Sequence, residues 1–225
     1  MQRRDLSRAL ALTALGSLLS LHARALSQTD AAAGVRQALQ RGTEAALSLL
    51  GRPDGFLGNP AVRIALPGYL NDAAKLMRYT GQGKRVDELV TAMNRAAEAA
   101  VPEARALLLD TVRNLSVDDG LRIVRGGDTA VTEFFVRQTR EPLAVKFLPI
   151  VTTATERVSL ADKYNAVAGK AAGLGVVKKE DANIQQYVTR KALDGLYLVI
   201  GEEEKKIRAD PVGTGSALLK AVFGK

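Results

Sequence analysis

The stretch from Gly51 to Gly68, GRPDGFLGNPAVRIALPG, constrains this chain more than any other, because it holds four glycines and three of the seven prolines in a sequence that otherwise reads as helix. Proline lacks an amide donor and glycine loses the most conformational freedom on ordering, so a run of this composition cannot continue a helix. Asp54-Gly55 and Asn59-Pro60 are turn dipeptides, and beyond them Val62, Ile64 and Leu66 alternate with Arg63 and Ala65. That alternation has the period of an extended segment with one apolar face. An extended segment needs partners for its backbone groups. The expected partner is Val176-Val177, the other local strand signal, or a symmetry mate, and Gly195 is expected to let the longest helix approach the loop. Loops of this length are uncommon in compact domains unless they are functional or disordered.

The N-terminus has the three-part layout of an export signal. Arg3, Arg4 and Arg8 form a basic region, Ala9 to Leu21 is uncharged and mostly apolar, and Ala23-Arg24-Ala25 offers a small-x-small site with cleavage after Ala25. The apolar run is shorter than the ~20 residues that span a bilayer. Arg3-Arg4-Asp5-Leu6 resembles a twin-arginine signal, although Ser7 stands where an apolar residue is common; general secretion and the twin-arginine route both remain open. A periplasmic location follows as an expectation.

Removing that leader takes four arginines, one aspartate and the only histidine, His22, from 32 basic and 24 acidic residues, which leaves 28 and 23 and a net charge of +5. With no cysteine or tryptophan anywhere, the mature chain lacks the residues for a histidine triad, a thiol nucleophile or a Cys/His zinc site. It also lacks a disulfide and a lipidation cysteine. No cofactor and no metal is expected. Basic and acidic residues alternate, with no concentrated cationic face of the kind nucleic acid requires.

The expected fold is all-α: one domain over 26–225, a bundle of about eight to ten helices with 51–68 as a long ordered loop and at most a minimal two-stranded element. Helices are read at 30–50, 69–79, 84–100, 102–115 with Pro102 in its first turn, and 117–125 capped by Ser116 with Asp119. Further helices follow from Asp128 or Thr129 to Arg140, from Pro142 to Val158 with a kink or break at Pro149, from Ser159 to Ala172, and from Asp181 to Ala209. A last apolar helix within 213–225 would dock as a clasp.

Polar residues beside apolar stripes are the candidate site. Asn94 and Glu98 are one turn apart on the 84–100 helix and Arg95 precedes Glu98 by three; on the longest helix Lys191 and Asp194, an expected ion pair, flank the apolar line beside Gly195. Buried polar groups most often serve structure, and the functional alternative is a carboxylate held in a cleft. Phe56 and Asn59 offer an aromatic ring and an amide within the loop, and Gly126-Gly127-Asp128-Thr129 is a weak phosphate-cradle pattern in which Asp128 reads more simply as a cap. Glu202 to Lys206 reads as a solvated face.

Several blocks together are specific: the loop itself, MNRAAEAAVPEA at 93–104, GGDTAVTEFF at 126–135, KALDGLYLVIGEEEKKIRADP at 191–211 and LLKAVFG at 218–224. On these the chain resembles the bacterial domain-of-unknown-function family 4197 over nearly its whole mature length. The resemblance implies an exported, largely helical bacterial protein and transfers no catalytic or binding residue. The reading that fits best is a non-enzymatic periplasmic protein that binds an apolar small molecule or an envelope protein. The alternative is a hydrolase using a pair among Glu98, Asp128, Asp194 and Glu202, which would need two carboxyls roughly 5–9.5 Å apart in a cleft.

Overall fold

The computed structural model describes residues 28–127, 130–175, 181 and 183–210. The expected leader, Asp128, the Val176-Val177 stretch and the clasp helix lie outside them. The described elements are α1 (Gln28–Leu50), α2 (Asn71–Tyr79), α3 (Gly83–Ala100), α4 (Ala104–Arg113), α5 (Val117–Arg125), α6 (Ala130–Thr155), α7 (Ser159–Gly173) and α8 (Ile184–Ala209), with 3-10 turns at Gly68–Leu70 and Val101–Glu103. The protein is all-α, and no strand occurs among the described residues. Because α3 passes into α4 through the turn at Pro102 without a break, the described residues form seven rods, slightly fewer than expected.

α8, 26 residues and roughly 39 Å long, is the axis. It packs most extensively on α6 and α1, and α3 lies against α6 and α8. Arg140 of α6 meets Asp194 of α8, and Thr132 of α6 lies beside Gly201 of α8, so the two long helices run antiparallel. α5 covers the C-terminal end of α8, where Arg208 donates to the Ile123 carbonyl at 2.8 Å. α7 covers the other end, where Asn165 accepts from the Ile184 amide at 2.8 Å. The main apolar core runs through the bundle, from Leu108 and Leu50 to Phe147 and Ile184; Ala38 and Ile207 form a small second cluster.

Local signals explain most boundaries. Ser116 caps α5 by accepting from the Asp119 amide at 3.0 Å, the cap its spacing predicts. Asn183 caps α8 through the Gln186 amide at 2.7 Å. α1 already runs from Gln28, so Thr29 and Asp30 lie within it and are not its cap.

α6 departs from expectation, because Pro142 and Pro149 neither start nor split a helix; both lie inside one continuous rod. Each removes the bond to the carbonyl four residues back. Both prolines are exposed, one heptad apart on the outer face, and Gln138 and Val145, whose carbonyls are freed, are exposed as well. Water can satisfy those carbonyls. Meanwhile Val131, Phe135, Leu143, Phe147 and Val151 keep the inner face buried, and that burial holds the rod together.

Candidate functional site

The loop between α1 and the Gly68–Leu70 turn is a chain of turns packed against α3 and α8. Asp54 takes the left-handed conformation, with φ 65°, which aspartate tolerates better than most residues. Gly58 donates to the Asp54 carbonyl at 3.1 Å, and the Asn59 carbonyl accepts from Val62 and Arg63 at 3.2 and 2.9 Å. Asn59 also accepts the Ala61 amide on its side chain at 3.1 Å, an Asx turn that explains its place in the loop.

The expected partner of Val62 to Leu66, Val176-Val177, lies outside the described residues; among those described, side chains bond the backbone of this segment. Asn94 accepts the Ile64 amide through Oδ1 at 2.8 Å and donates Nδ2 to the Ile64 carbonyl at 2.8 Å. A single carboxamide thus does what a neighbouring strand residue would do. The second Nδ2 hydrogen goes to the Val90 carbonyl at 2.7 Å, so the amide is aimed by its own helix. Tyr187 of α8 donates to the Ala65 carbonyl at 2.8 Å. The alternation of Val62, Ile64 and Leu66 places Val62 and Ile64 in the core as expected, but α3 and α8 are the surface they face.

One turn further along α3, Glu98 accepts the Phe56 and Leu57 amides on Oε1 at 3.0 and 3.1 Å. Its Oε2 meets Arg95 at 2.7 Å, and Arg95 reaches on to Asp54 at 2.8 Å. Phe56 is fully buried. Gly195 lies against it as expected: a Cβ there would sit 2.8 Å from Phe56 Cε1 and 3.2 Å from Val62 Cβ. The structure therefore gathers Phe56, Asn94, Arg95 and Glu98 around one task, the fixing of the loop.

Asp194 faces the other way. Its partners are Arg140 at 2.6 Å and Arg190 at 3.4 Å, in place of the Lys191 expected. Arg190 stands one full turn before Asp194 on the same helix, and Arg140 arrives from α6; Lys191 is half-buried and outside this pair. Arg190 also binds Asp181 at 2.5 Å and lies 5.6 Å from the centre of the Tyr187 ring. Glu202 is exposed on α8. Among the described residues no group of three acidic, histidine or cysteine side chains is placed to hold a metal ion, and no helix is long and apolar enough to cross a membrane.

Where the loop ends, the packing changes. α2 buries none of its residues, and beneath it lies an apolar slot of about 110 Å³. Leu66 closes the loop end, Leu70 and Met77 form the roof, Val86 and Leu89 of α3 the floor, and Leu160 and Val167 of α7 the far wall. Among the described residues, Lys163 is the only charged one that lines it. Tyr164 stands at its edge with its hydroxyl 3.4 Å from that of Tyr69, and burial pushes the Tyr164 phenol well above the usual range. Tyr187, its ring 6.3 Å from that of Tyr164, is pushed up to about 12 by burial. Outside the slot, Leu76 and Tyr79 of α2 are 64% and 92% exposed.

Sequence reasoning passed over this slot. One signal was present: Leu70, Ala73, Ala74 and Met77 fall at i, i+3, i+4 and i+7, an apolar stripe on an element too short to bury it. The other walls come from three separate segments, which no local pattern joins. No curated protein matches the chain, and no solved structure matches it. Residues 25–224 match the family model described as protein of unknown function (DUF4197), and the chain belongs to that family.

Proposed function

We propose that this chain is an exported periplasmic protein that binds an apolar small molecule in the slot beneath α2. The observation that carries the reading is the contrast within α2 itself, a helix with no buried residue laid over a slot whose described lining is apolar apart from Lys163 and the Tyr164 hydroxyl. A roof with so little holding it down opens at low cost. The slot is smaller than the ~300 Å³ at which sites for drug-sized ligands begin, so it suits a slender apolar group. Export is supported by the leader pattern and by a family match that begins at Ala25, beside the expected cleavage site.

Two measurements test this. Native mass spectrometry of the protein purified from its own periplasm should show a chain beginning at Leu26 with a retained small apolar ligand. The neutral fluorophore N-phenyl-1-naphthylamine should brighten on binding, and Ala74→Phe, which fills the slot from the roof, should abolish the signal. A fluorophore response unchanged by Ala74→Phe would sink the reading.

The exposed Leu76 and Tyr79 favour a second use of the same helix, contact with an envelope protein partner. Hydrolysis by paired carboxylates has weaker support. Glu98 is spent on two amides and Arg95, and Asp194 on two arginines.

A further inference from the structure

α2 has a second cavity on its other side, and its chemistry is the opposite of the first. This cavity, about 280 Å³, shares Leu66, Ala74 and Val86 with the apolar slot, so the two meet beneath one helix. Its charged lining is Arg63, Lys75, Arg78 and Asp87, three cations against one carboxylate. Arg78 binds Asp87 at 2.6 Å, and this bond holds the Asp87 carboxyl below its usual value. Lys75 meets Asp72 at 3.3 Å at the solvent surface. Arg63, exposed at the loop's end, acts on the same Asp87 from a longer range and lowers its carboxyl further, so one carboxylate is shared by two arginines.

We propose that the ligand is a single-chain anionic amphiphile, its hydrocarbon chain in the slot and its anionic head against Arg63, Lys75 and Arg78. This rests on the reading that the slot binds an apolar group, and it adds the head. A purely apolar molecule leaves the cationic side of α2 unused, and a cationic amphiphile meets like charge there. A free anion leaves the slot empty. Only a molecule with both parts matches both cavities at once, and a slot of about 110 Å³ leaves no room for a second chain. A carboxylate or a phosphate head fits the same cations, since arginine pairs with either.

The test titrates the purified protein with twelve-carbon ligands below their micelle concentrations, in competition with N-phenyl-1-naphthylamine. Laurate and dodecyl phosphate are compared with dodecanol, dodecyltrimethylammonium and inorganic phosphate. The two anionic chains should bind about tenfold more tightly than dodecanol, with the advantage shrinking as salt rises. The pair Arg63→Gln and Arg78→Gln should remove that advantage and leave dodecanol binding unchanged. If laurate wins and dodecyl phosphate does not, the head site is for carboxylates; the reverse result assigns it to phosphates, and either supports the proposal.

Three results overturn it: equal binding of dodecanol and the anionic chains, binding of inorganic phosphate as tight as that of dodecyl phosphate, or loss of the anionic advantage on Lys163→Gln but not on the arginine pair. In each of these the slot itself still binds a chain. If no chain displaces the fluorophore, or if Ala74→Phe changes nothing, the slot reading fails instead. Val167→Trp, from the far wall, serves as the second blocking variant should Ala74→Phe not fold.

Discussion

The segment joining α1 to α3 changes character at Leu66. Before it, fifteen residues without regular structure, 51–65, are fixed by polar side chains: Asn94 on Ile64, Glu98 on Phe56 and Leu57, Tyr187 on Ala65. After it, a regular helix, α2, buries nothing and roofs an open slot. Regular structure is thus the poorly anchored half and irregular structure the well anchored one. The difference teaches that order here follows from satisfied buried backbone groups and from burial, and a helix that satisfies its own backbone needs neither.

The sharpest way to break the contrast is to remove the carboxamide. Asn94→Ala leaves the Ile64 amide and carbonyl without partners in the interior, and each such group costs about 1–3 kcal/mol. Urea denaturation should show a loss of about 3 kcal/mol or more, and hydrogen exchange should show 56–65 opening as readily as α2. A loss below 1 kcal/mol would mean that the loop is not held this way. Gly195→Ala pushes a methyl group into Phe56 and Val62, and overpacking of this kind costs about 1–3 kcal/mol. An unchanged denaturation midpoint would show that the loop can give way.

Tyr187→Phe removes the donor to Ala65 and should cost about 1 kcal/mol at neutral pH. It also sharpens the comparison through pH. The folded-state pKa of Tyr187 lies at about 12, above the value near 10 of an unfolded tyrosine. Its contribution is therefore complete below about pH 10 and is lost as pH rises through 12. Melting temperature should fall over that window, and less steeply in Tyr187→Phe; an identical alkaline slope in both proteins would contradict the burial of this phenol. The smallest effect on stability belongs to the open half. Leu76→Ser on the exposed side of α2 should shift stability by less than about 0.5 kcal/mol, and a larger shift would show that α2 is better anchored than its burial indicates.

Much of this was legible from residues. Apolar stripes gave the helices, Ser116 with Asp119 gave a cap, and a glycine amid bulky neighbours at 195 marked the helix that meets the loop. Val62 to Leu66 shows where legibility stops. The alternation shows correctly that Val62 and Ile64 are buried, but it does not reveal what pairs with their backbone, because an asparagine side chain on a helix leaves no periodic trace. Pro142 and Pro149 mislead for a related reason: their cost depends on whether the freed carbonyls face water, which is a tertiary property. Of the Asp194 partners, Arg140 comes from another helix and leaves no local trace, whereas Arg190, one turn back on α8 itself, was legible at i, i+4 and was passed over for Lys191. The slot was missed because loop, α2, α3 and α7 each supply only part of it.

The clamp on the loop also sets an order of events in folding. Its bonds join residues 30, 42 and 122 positions apart, so the first two wait for α3 to be built and the third for α8 to be brought alongside. Closing such distant contacts is costly in chain entropy before they give any return. The loop should therefore be absent from the rate-limiting transition state, and the stability that Asn94 supplies should appear as slow unfolding, not as fast folding. Stopped-flow measurements on Asn94→Ala would show the unfolding limb raised and the refolding limb unmoved; a slowed refolding limb would place the loop in the nucleus. An apolar segment fixed so late stays open to solvent until then, so 56–66 needs protection between synthesis and the finished fold.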